Sequence, residues 1–542
     1  MTVGTGILFD RARFGPDPRW RTIGELVGEA ARLYPDQEFL RFPGSSPLTF
    51  GEVNDYSSQL AHVLAGHGVQ PGDRVAIMMG NAAGWPLSWF AVLKAGAIAV
   101  PVNARYRESD LAFVLADSGA VMVLTSAEHA GLVRAVTGQA HAVREVRTLP
   151  ELAAEVTAAP AADPGNALEP SGIANFQYTS GTTGFPKACM LSHEYWLRTA
   201  WLTAVEAELR ADDVVLIAQP FSYMDPQWIS LMCLMGGRPL VVLPRFSASG
   251  FWASVREHGV TLTYVLGAMP VLLFRQPPSL LDTAHKMRLV LCSGIVPGLH
   301  RQFEERWGAP WREIYGSTES GLDLAVPPGA AETVGTGAMG YPPASKGVRI
   351  ADEADRTVPD GEIGQIIIRG QPMMTGYWNH PDSTERAFRG GWYHSGDLGY
   401  RDAAGWIHHA GRLKDMIRRG GENISAAEVE HVLALHPAVS AAALVPIPDE
   451  VFGELPKAFV QLRTGHEANT ETAMSLLEHL RGKLARFKVP AYLEFVETFP
   501  MTPSARIEKR KLLDRDHDQR TGAFDTAANS WVQRTRAKGT TQ

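Results

Sequence analysis

Residues 178–187 read YTSGTTGFPK, and the rest of the chain organises around them. Thr179, Ser180, Thr182 and Thr183 are set among Gly181 and Gly184, with Pro186 and Lys187 behind them. Glycine opens backbone conformations closed to other residues and lets amide N–H groups approach a bound anion. The hydroxyls add donors and Lys187 adds a positive charge, so the loop suits phosphate oxygens. A nucleoside-triphosphatase P-loop sets Lys directly after its last Gly and follows it with Ser or Thr. Here Phe185 and Pro186 separate Gly184 from Lys187, and Ala188 follows, so this is a different phosphate loop. A solvated Gly/Ser/Thr linker has no need of this order of residues.

Outward from the loop, short apolar runs alternate with helical patterns. Apolar positions recur at three and four in 21–75, RVAIMMG (74–80) reads as a buried strand, WPLSWFAVLKAGAIAV (85–100) as a helix, and 121–125 as a further strand. The segment 157–170, rich in Ala and Pro, reads as a surface connection into the strand NFQYTS, whose end carries the phosphate loop. VVLIAQP, VVLPRF, LTYVLG and LVLCSG continue the strand pattern to residue 294. Such alternation predicts mainly parallel sheet covered by helices, with ligand loops at strand ends. Between 335 and 376, strands separated by Gly and Pro turns predict a small β-rich antiparallel subdomain. After residue 425 come an amphipathic helix, a strand and another helix, and the segment from about 514 is polar and expected to be loosely ordered.

With 542 residues the chain exceeds one ordinary core. The 58 acidic residues against 51 basic ones, a formal charge of -7, argue against nucleic acid as partner, because no basic stripe is present to neutralise phosphates. Cys189, Cys233 and Cys292 are far apart and odd in number, so a disulfide framework is not expected and a reducing compartment is. The first fifteen residues lack the apolar core of a signal peptide, and no apolar run is long enough to span a membrane. A cytoplasmic protein is expected. His408 and His409 are adjacent, but no other His or Cys lies at ligand spacing, which makes a strand-end coincidence the preferred reading.

YTSGTTGFPK resembles the phosphate-loop signature of the adenylate-forming superfamily, which includes acyl-CoA synthetases, peptide-synthetase adenylation domains and luciferases. Four further stretches resemble that family in the same order. SGIVP (293–297) is similar to the glycine-containing strand end against adenine, implying Gly294 and Ile295. In REIYGSTESG (312–321), the resemblance implies Tyr315, with Gly316 and Ser317, against adenine, Thr318 at the α-phosphate, and Glu319 as a hard ligand for Mg2+. SGDLG places Asp397 on the ribose hydroxyls, and GRLKD places Arg412 beside the ribose and Lys414 at the hinge between domains. Gly420 and Gly421 match a segment that approaches the thiol acceptor in family members. Tyr223 falls where acyl-CoA ligases often hold an aromatic or histidine gate; Tyr223, Met224 and Trp228 are the candidate substrate-pocket residues.

The resemblance implies an α/β fold: a large N-terminal AMP-binding domain (1–412) of mixed, mainly parallel sheets plus the β-rich subdomain, and a smaller mobile α+β domain (413–542). It implies ATP, Mg2+ and coenzyme A, a small-molecule acid as substrate and a separate acceptor. No carrier-protein domain follows residue 542, so a full peptide-synthetase module is not expected. One departure stands out. The family usually reads Pro, Ser or Thr, Gly, Lys near the C-terminus, and here TPSARIEK puts Ala505 for the glycine and Arg506 for the lysine. Arginine keeps the charge but is planar and forked. Arg506 doing the lysine's work, Lys509 or Lys511 reaching in instead, and a site refitted to another acid are all open. The leading expectation is an ATP-dependent ligase that activates a carboxylate as its AMP anhydride and passes it to coenzyme A. The alternatives are a diazotase using ATP and nitrite on an aromatic amine, and a degenerate ATP-binding homologue without ligase activity.

Overall fold

The computed structural model describes residues 7–9, 17–179, 186–419, 422–449, 451–501, 507–513 and 519–533. Two compact units divide the chain: Met1–Val348 with Ile367–His394, and Arg349–Ile366 with Ser395–Gln542.

The first unit holds two large mixed sheets. One runs, by neighbours, Gly376–Tyr377, Lys187–Ser192, Ile173–Thr179, Ile98–Pro101, Arg74–Met78, Met122–Thr125 and Glu145–Thr148. Its pairings are parallel from Ile173–Thr179 onward and antiparallel at the other edge, where Ile173–Thr179 and Lys187–Ser192 form a hairpin. The other sheet runs Gly321–Ala325, Trp311–Ser317, Leu289–Ser293, Leu262–Leu266, Val215–Ile217, Leu240–Val242, Glu38–Arg41 and Leu48–Thr49. Only its two outermost pairings are antiparallel. Parallel sheet needs both faces covered, and in the strand Arg74–Met78 the residues Val75, Ala76, Ile77 and Met78 are all fully buried.

Local chemistry explains the helices. Phe50–Gly66 starts at a capping box, in which Thr49 Oγ1 accepts from Glu52 N (3.1 Å) and Glu52 Oε2 accepts from Thr49 N (2.8 Å). The apolar stretch 85–100 is not one helix: the helix Gly84–Lys94 ends, and Ile98–Pro101 is a strand beside Arg74–Met78. Gly96 takes φ +76° between them, which an unbroken helix cannot contain, and a run apolar on every side has no period to separate helix from strand. Between the helices and strands lies an aromatic-rich core, including Trp85 stacked on Phe221 at 5.0 Å and, in a second cluster, Trp307 between Trp252 and Trp311 at 5.0 and 5.2 Å.

The β-rich stretch supplies Ala338–Gly340, Lys346–Ala351, Gly364–Gly370, Tyr393–Arg401 and Ile407–Arg412, and the division between the units runs through it. In the second unit, Val439–Asp449 and Gly453–Leu462 form a long antiparallel hairpin, and Tyr492–Phe495 adds in parallel. Helices Ala426–Ala434 and Thr470–Arg481 close its core through Val429, Leu433, Leu476, Leu477 and Leu480. The C-terminal segment departs from expectation: Phe524–Asp525 and Ser530–Trp531 rejoin this sheet, with Phe524 fully buried. Two strands of two residues in a polar segment carry too little periodicity to read beforehand. All three cysteines are buried thiols. Among the described residues, no helix is long and apolar enough to cross a membrane.

Candidate active site

The hairpin of Ile173–Thr179 and Lys187–Ser192 sets Thr179 opposite Lys187, so these two residues close the base of the phosphate loop. Ser180, Gly181, Thr182, Thr183 and Gly184 lie outside the described residues. The Lys187 ammonium donates to Ser383 Oγ (3.0 Å) and stands 5.5 Å from the centre of the Tyr377 ring. Tyr377 belongs to the edge strand Gly376–Tyr377, paired against Met190 and Cys189, and its hydroxyl donates to Glu319 Oε1 (2.9 Å). Burial, and then the Glu319 charge, push the Tyr377 phenol far up, so it remains a donor at any physiological pH. One tyrosine thus connects the lysine behind the phosphate loop with the carboxylate of the YGSTES motif.

That motif turns sharply between Trp311–Ser317 and Gly321–Ala325. A Cβ at residue 316 would stand 1.9 Å from the Gly321 carbonyl oxygen, so only glycine fits. The backbone of the turn is tied from outside: Tyr195 Oη donates to the Thr318 carbonyl (2.8 Å), and Met374 N donates to the Glu319 carbonyl (2.7 Å). The thiol of Cys189 is pushed up by burial and secondarily by the charge of Glu319. A carboxylate with its backbone immobilised is a donor of the type Mg2+ takes when phosphates complete its coordination.

At the neighbouring strand end, Ser293 Oγ donates to Ile314 O (2.6 Å) and accepts from Tyr264 Oη (2.9 Å). The amides of Gly294 and Ile295 both donate to the Glu313 carboxylate, at 2.6 and 2.8 Å. Glu313 therefore braces the strand end next to half-buried Tyr315. Burial pushes its carboxyl up to about 8, against the opposing effect of the two amides.

The candidate pocket residues part company. Trp228 is buried and meets Tyr264 edge-on at 5.6 Å, whereas Tyr223 and Met224 are half-buried at the start of the helix Met224–Gly236. Asn103 Nδ2 donates to Tyr223 Oη (3.2 Å). Beneath them runs a buried amide relay. Trp89 Nε1 donates to Asn175 Oδ1 (3.0 Å), Asn175 Nδ2 to Gln227 Oε1 (2.7 Å), and Gln227 Nε2 to the carbonyls of Phe221 and Tyr223 (2.9 and 3.0 Å). Gln177 Nε2 donates to the Ser222 carbonyl (2.8 Å). The strand leading to the phosphate loop thereby holds the segment 221–223 in place.

In the second unit, Asp397 and Arg412 face each other across the hairpin Tyr393–Arg401/Ile407–Arg412, with Arg412 Nε 3.0 Å from Asp397 Oδ1. Lys414 lies in the single 3-10 turn Leu413–Asp415 that follows. Lys509 Nζ pairs with Glu430 Oε1 (2.8 Å) and Asp415 Oδ2 (3.7 Å), and Lys511 pairs with Glu508 (2.7 Å). Arg506, Gly420 and Gly421 lie outside the described residues. His408 bonds Asp402 (2.8 Å) and stacks on Tyr400, and among the described residues no group of three His, Cys, Asp or Glu is placed to hold a metal.

Tyr377, Glu313 and the amide relay were missed in the sequence. The pair Gly376–Tyr377 was visible only as part of a turn-separated strand pattern, and nothing at a fixed spacing links 377 to 319.

An AMP-binding enzyme model matches residues 27–378, and an AMP-binding enzyme C-terminal domain model matches 428–506. The chain is 34% identical to a feruloyl-CoA synthase of Amycolatopsis sp, over 91% of this chain and 99% of that one. It is 30% identical to a sulfoacetate–CoA ligase of Cupriavidus necator, over 91% and 97%. ATP-bound MatB from Rhodopseudomonas palustris superposes with a TM-score of 0.83 at 26% identity, covering 91% of this chain and 98% of that one.

The Glu313 brace has a pH signature. Its folded value is raised, so the stability it contributes is complete below the ordinary carboxylate range and is lost as pH rises toward about 8. Glu313→Gln stays neutral at every pH. The unfolding midpoint of the variant minus that of the wild type is expected to climb between pH 5 and 8 and then flatten. A difference that stays constant over that range would show the amides holding the carboxyl at its usual value.

Proposed function

The chain belongs to the AMP-binding enzyme family of adenylate-forming enzymes, and on that premise we propose that it is an ATP-dependent ligase joining a small organic acid to coenzyme A. One observation carries the reading: Tyr377 links the Lys187 ammonium to the Glu319 carboxylate at the base of the phosphate loop. In the first step, an oxygen of the acid's carboxylate attacks the α-phosphorus of ATP. The bond to the bridging oxygen breaks, and pyrophosphate leaves with its electron pair. In the second, the thiol sulfur of coenzyme A attacks the acyl carbon, AMP leaves, and the thiol proton passes to solvent. The acyl-adenylate is already electrophilic, so no side-chain nucleophile is needed.

The roles are those the family resemblance implies, and charge and shape agree with them. Lys187, Thr179 and the loop residues Ser180, Gly181, Thr182, Thr183 and Gly184 take phosphate oxygens. Tyr315, with Gly316, Ser317, Gly294 and Ile295, takes adenine, and Thr318 the α-phosphate. Asp397 and Arg412 serve the ribose. Glu319 would hold Mg2+, which neutralises charge on the phosphates when bound. Tyr223 and Met224 face the acid, with Trp228 behind them in the core. We place the hinge at Lys414, between an N-terminal domain 1–412 and a C-terminal domain 413–542, so that rotation there exchanges the two half-reactions. Arg506 is the proposed counterpart of the family lysine. Lys509 is committed to Glu430 and Asp415, and Lys511 to Glu508.

The acid is a matter for experiment, since the similar enzymes named above carry acids as unlike as an aryl acid and a sulfonated one. AMP and pyrophosphate release should be measured across aliphatic, aryl and sulfonated acids and nitrite, with and without coenzyme A and an aryl amine. A thioester from one acid class is expected. AMP only with nitrite, and a diazo product with the amine, would replace the ligase by a diazotase; ATP bound without AMP from any acid would leave a degenerate homologue.

Three substitutions test the roles. Tyr377→Phe removes one hydrogen bond to a carboxylate, and kcat/KM for Mg·ATP should fall roughly tenfold or more. Arg506→Ala should slow adenylate formation about 10²- to 10³-fold, the usual loss for one transition-state donor. Lys509→Ala should leave that step within a few-fold; the reverse ranking would make Lys509 the working cation.

A further inference from the structure

Lys346 opens the strand Lys346–Ala351, and its side chain is fully buried. Its ammonium stands 3.0 Å from Asp323 Oδ1, itself fully buried on Gly321–Ala325. It donates to the carbonyl of Ser320 (2.5 Å) and to the carbonyl of Pro372 (2.5 Å). Two of its three N–H groups go to these carbonyls, and the Asp323 carboxylate supplies the counter-charge at ion-pair distance. The other Asp323 oxygen accepts from Ser320 Oγ, and Ser320 Oγ lies 2.8 Å from Ser317 Oγ.

These partners are the two segments that make the site. Ser320 directly follows Glu319 in the turn carrying Thr318. Pro372 precedes Met374, whose amide binds the Glu319 carbonyl, and leads into Tyr377, whose hydroxyl binds the Glu319 side chain. A buried lysine is unfavourable without compensation: burial lowers its proton affinity, and Asp323 opposes that effect without cancelling it. A well-packed apolar pair could fill the same volume without desolvating two charges, but could not hold two backbone carbonyls from different segments at once.

We propose that Lys346, neutralised by Asp323, is a positioning residue for the metal-dependent part of ATP binding. It clamps the 317–321 turn to the 372–377 segment, so that Glu319 and Tyr377 meet in the geometry Mg·ATP requires. This inference rests on the function proposed above. Lys346 touches no reacting atom; it acts through Glu319 and Tyr377.

The test uses the full chain, with Lys346→Met and the paired variant Lys346→Met/Asp323→Leu. Lys346→Met leaves a carboxylate buried alone and is expected to lower the unfolding midpoint. The paired variant removes that unpaired charge and should regain most of the loss. Affinities for ATP with and without Mg2+ are then measured by calorimetry for the wild type and the paired variant. The expected result is at least a tenfold weaker Mg·ATP affinity in the paired variant, with metal-free ATP affinity within about twofold of wild type. Equal Mg·ATP affinity in both proteins would make the pair purely structural and overturn the inference. An equal loss with and without metal would overturn it too, because the clamp would then serve the nucleotide rather than the metal ligand. A wild type that binds no Mg·ATP would overturn the proposed function along with it.

Discussion

At residue 316 the chain passes so close to the Gly321 carbonyl that no side chain fits, and the candidate active site depends on that approach. It draws Trp311–Ser317 and Gly321–Ala325 into a tight antiparallel pair at one edge of a sheet whose interior pairings are parallel. The register shifts between Tyr315 and Gly316, and such an irregularity redirects side chains near a strand end. Thr318 and Glu319 are displayed on the turn that results. Its backbone is then fixed by Tyr195, Met374 and Lys346, each bonding a different carbonyl within 318–320. Preorganisation of this kind removes the entropy that a free loop would lose on binding a triphosphate.

Buried polar groups are the second organising element. Interior amides and charges must find partners, and here the partners lie on different segments of the fold. Asn175, Gln177 and Gln227 join the strand before the phosphate loop to the segment around Tyr223. Glu313 joins two strand ends through the amides of Gly294 and Ile295. Asp213 does the same for Arg288 and Thr261, away from the site. A satisfied polar network demands particular directions as well as volumes, so it specifies one arrangement of the strand ends where apolar contacts alone would tolerate several.

Much of this was legible beforehand because it is local. The strand and helix alternation follows from residue types at fixed spacing. The stretch 85–100 was misread because it is apolar throughout, and only Gly96 marks where helix gives way to strand. The return of Phe524 to the C-terminal sheet rests on one aromatic residue in a polar segment, too weak a signal to read from the pattern.

By itself the sequence determined the class of the chain, and it offered residue types able to hold a triphosphate and a metal. These are properties of short segments, where backbone freedom, charge and hydroxyl content act within a few residues. Only the tertiary structure decided which groups meet: Tyr377 on Glu319, Glu313 on two amides, Lys346 between Ser320, Asp323 and Pro372. Those partners are separated by from 18 to 58 positions along the chain. A hydrogen bond depends on distance and direction in space, and for such pairs neither exists until the sheets have formed.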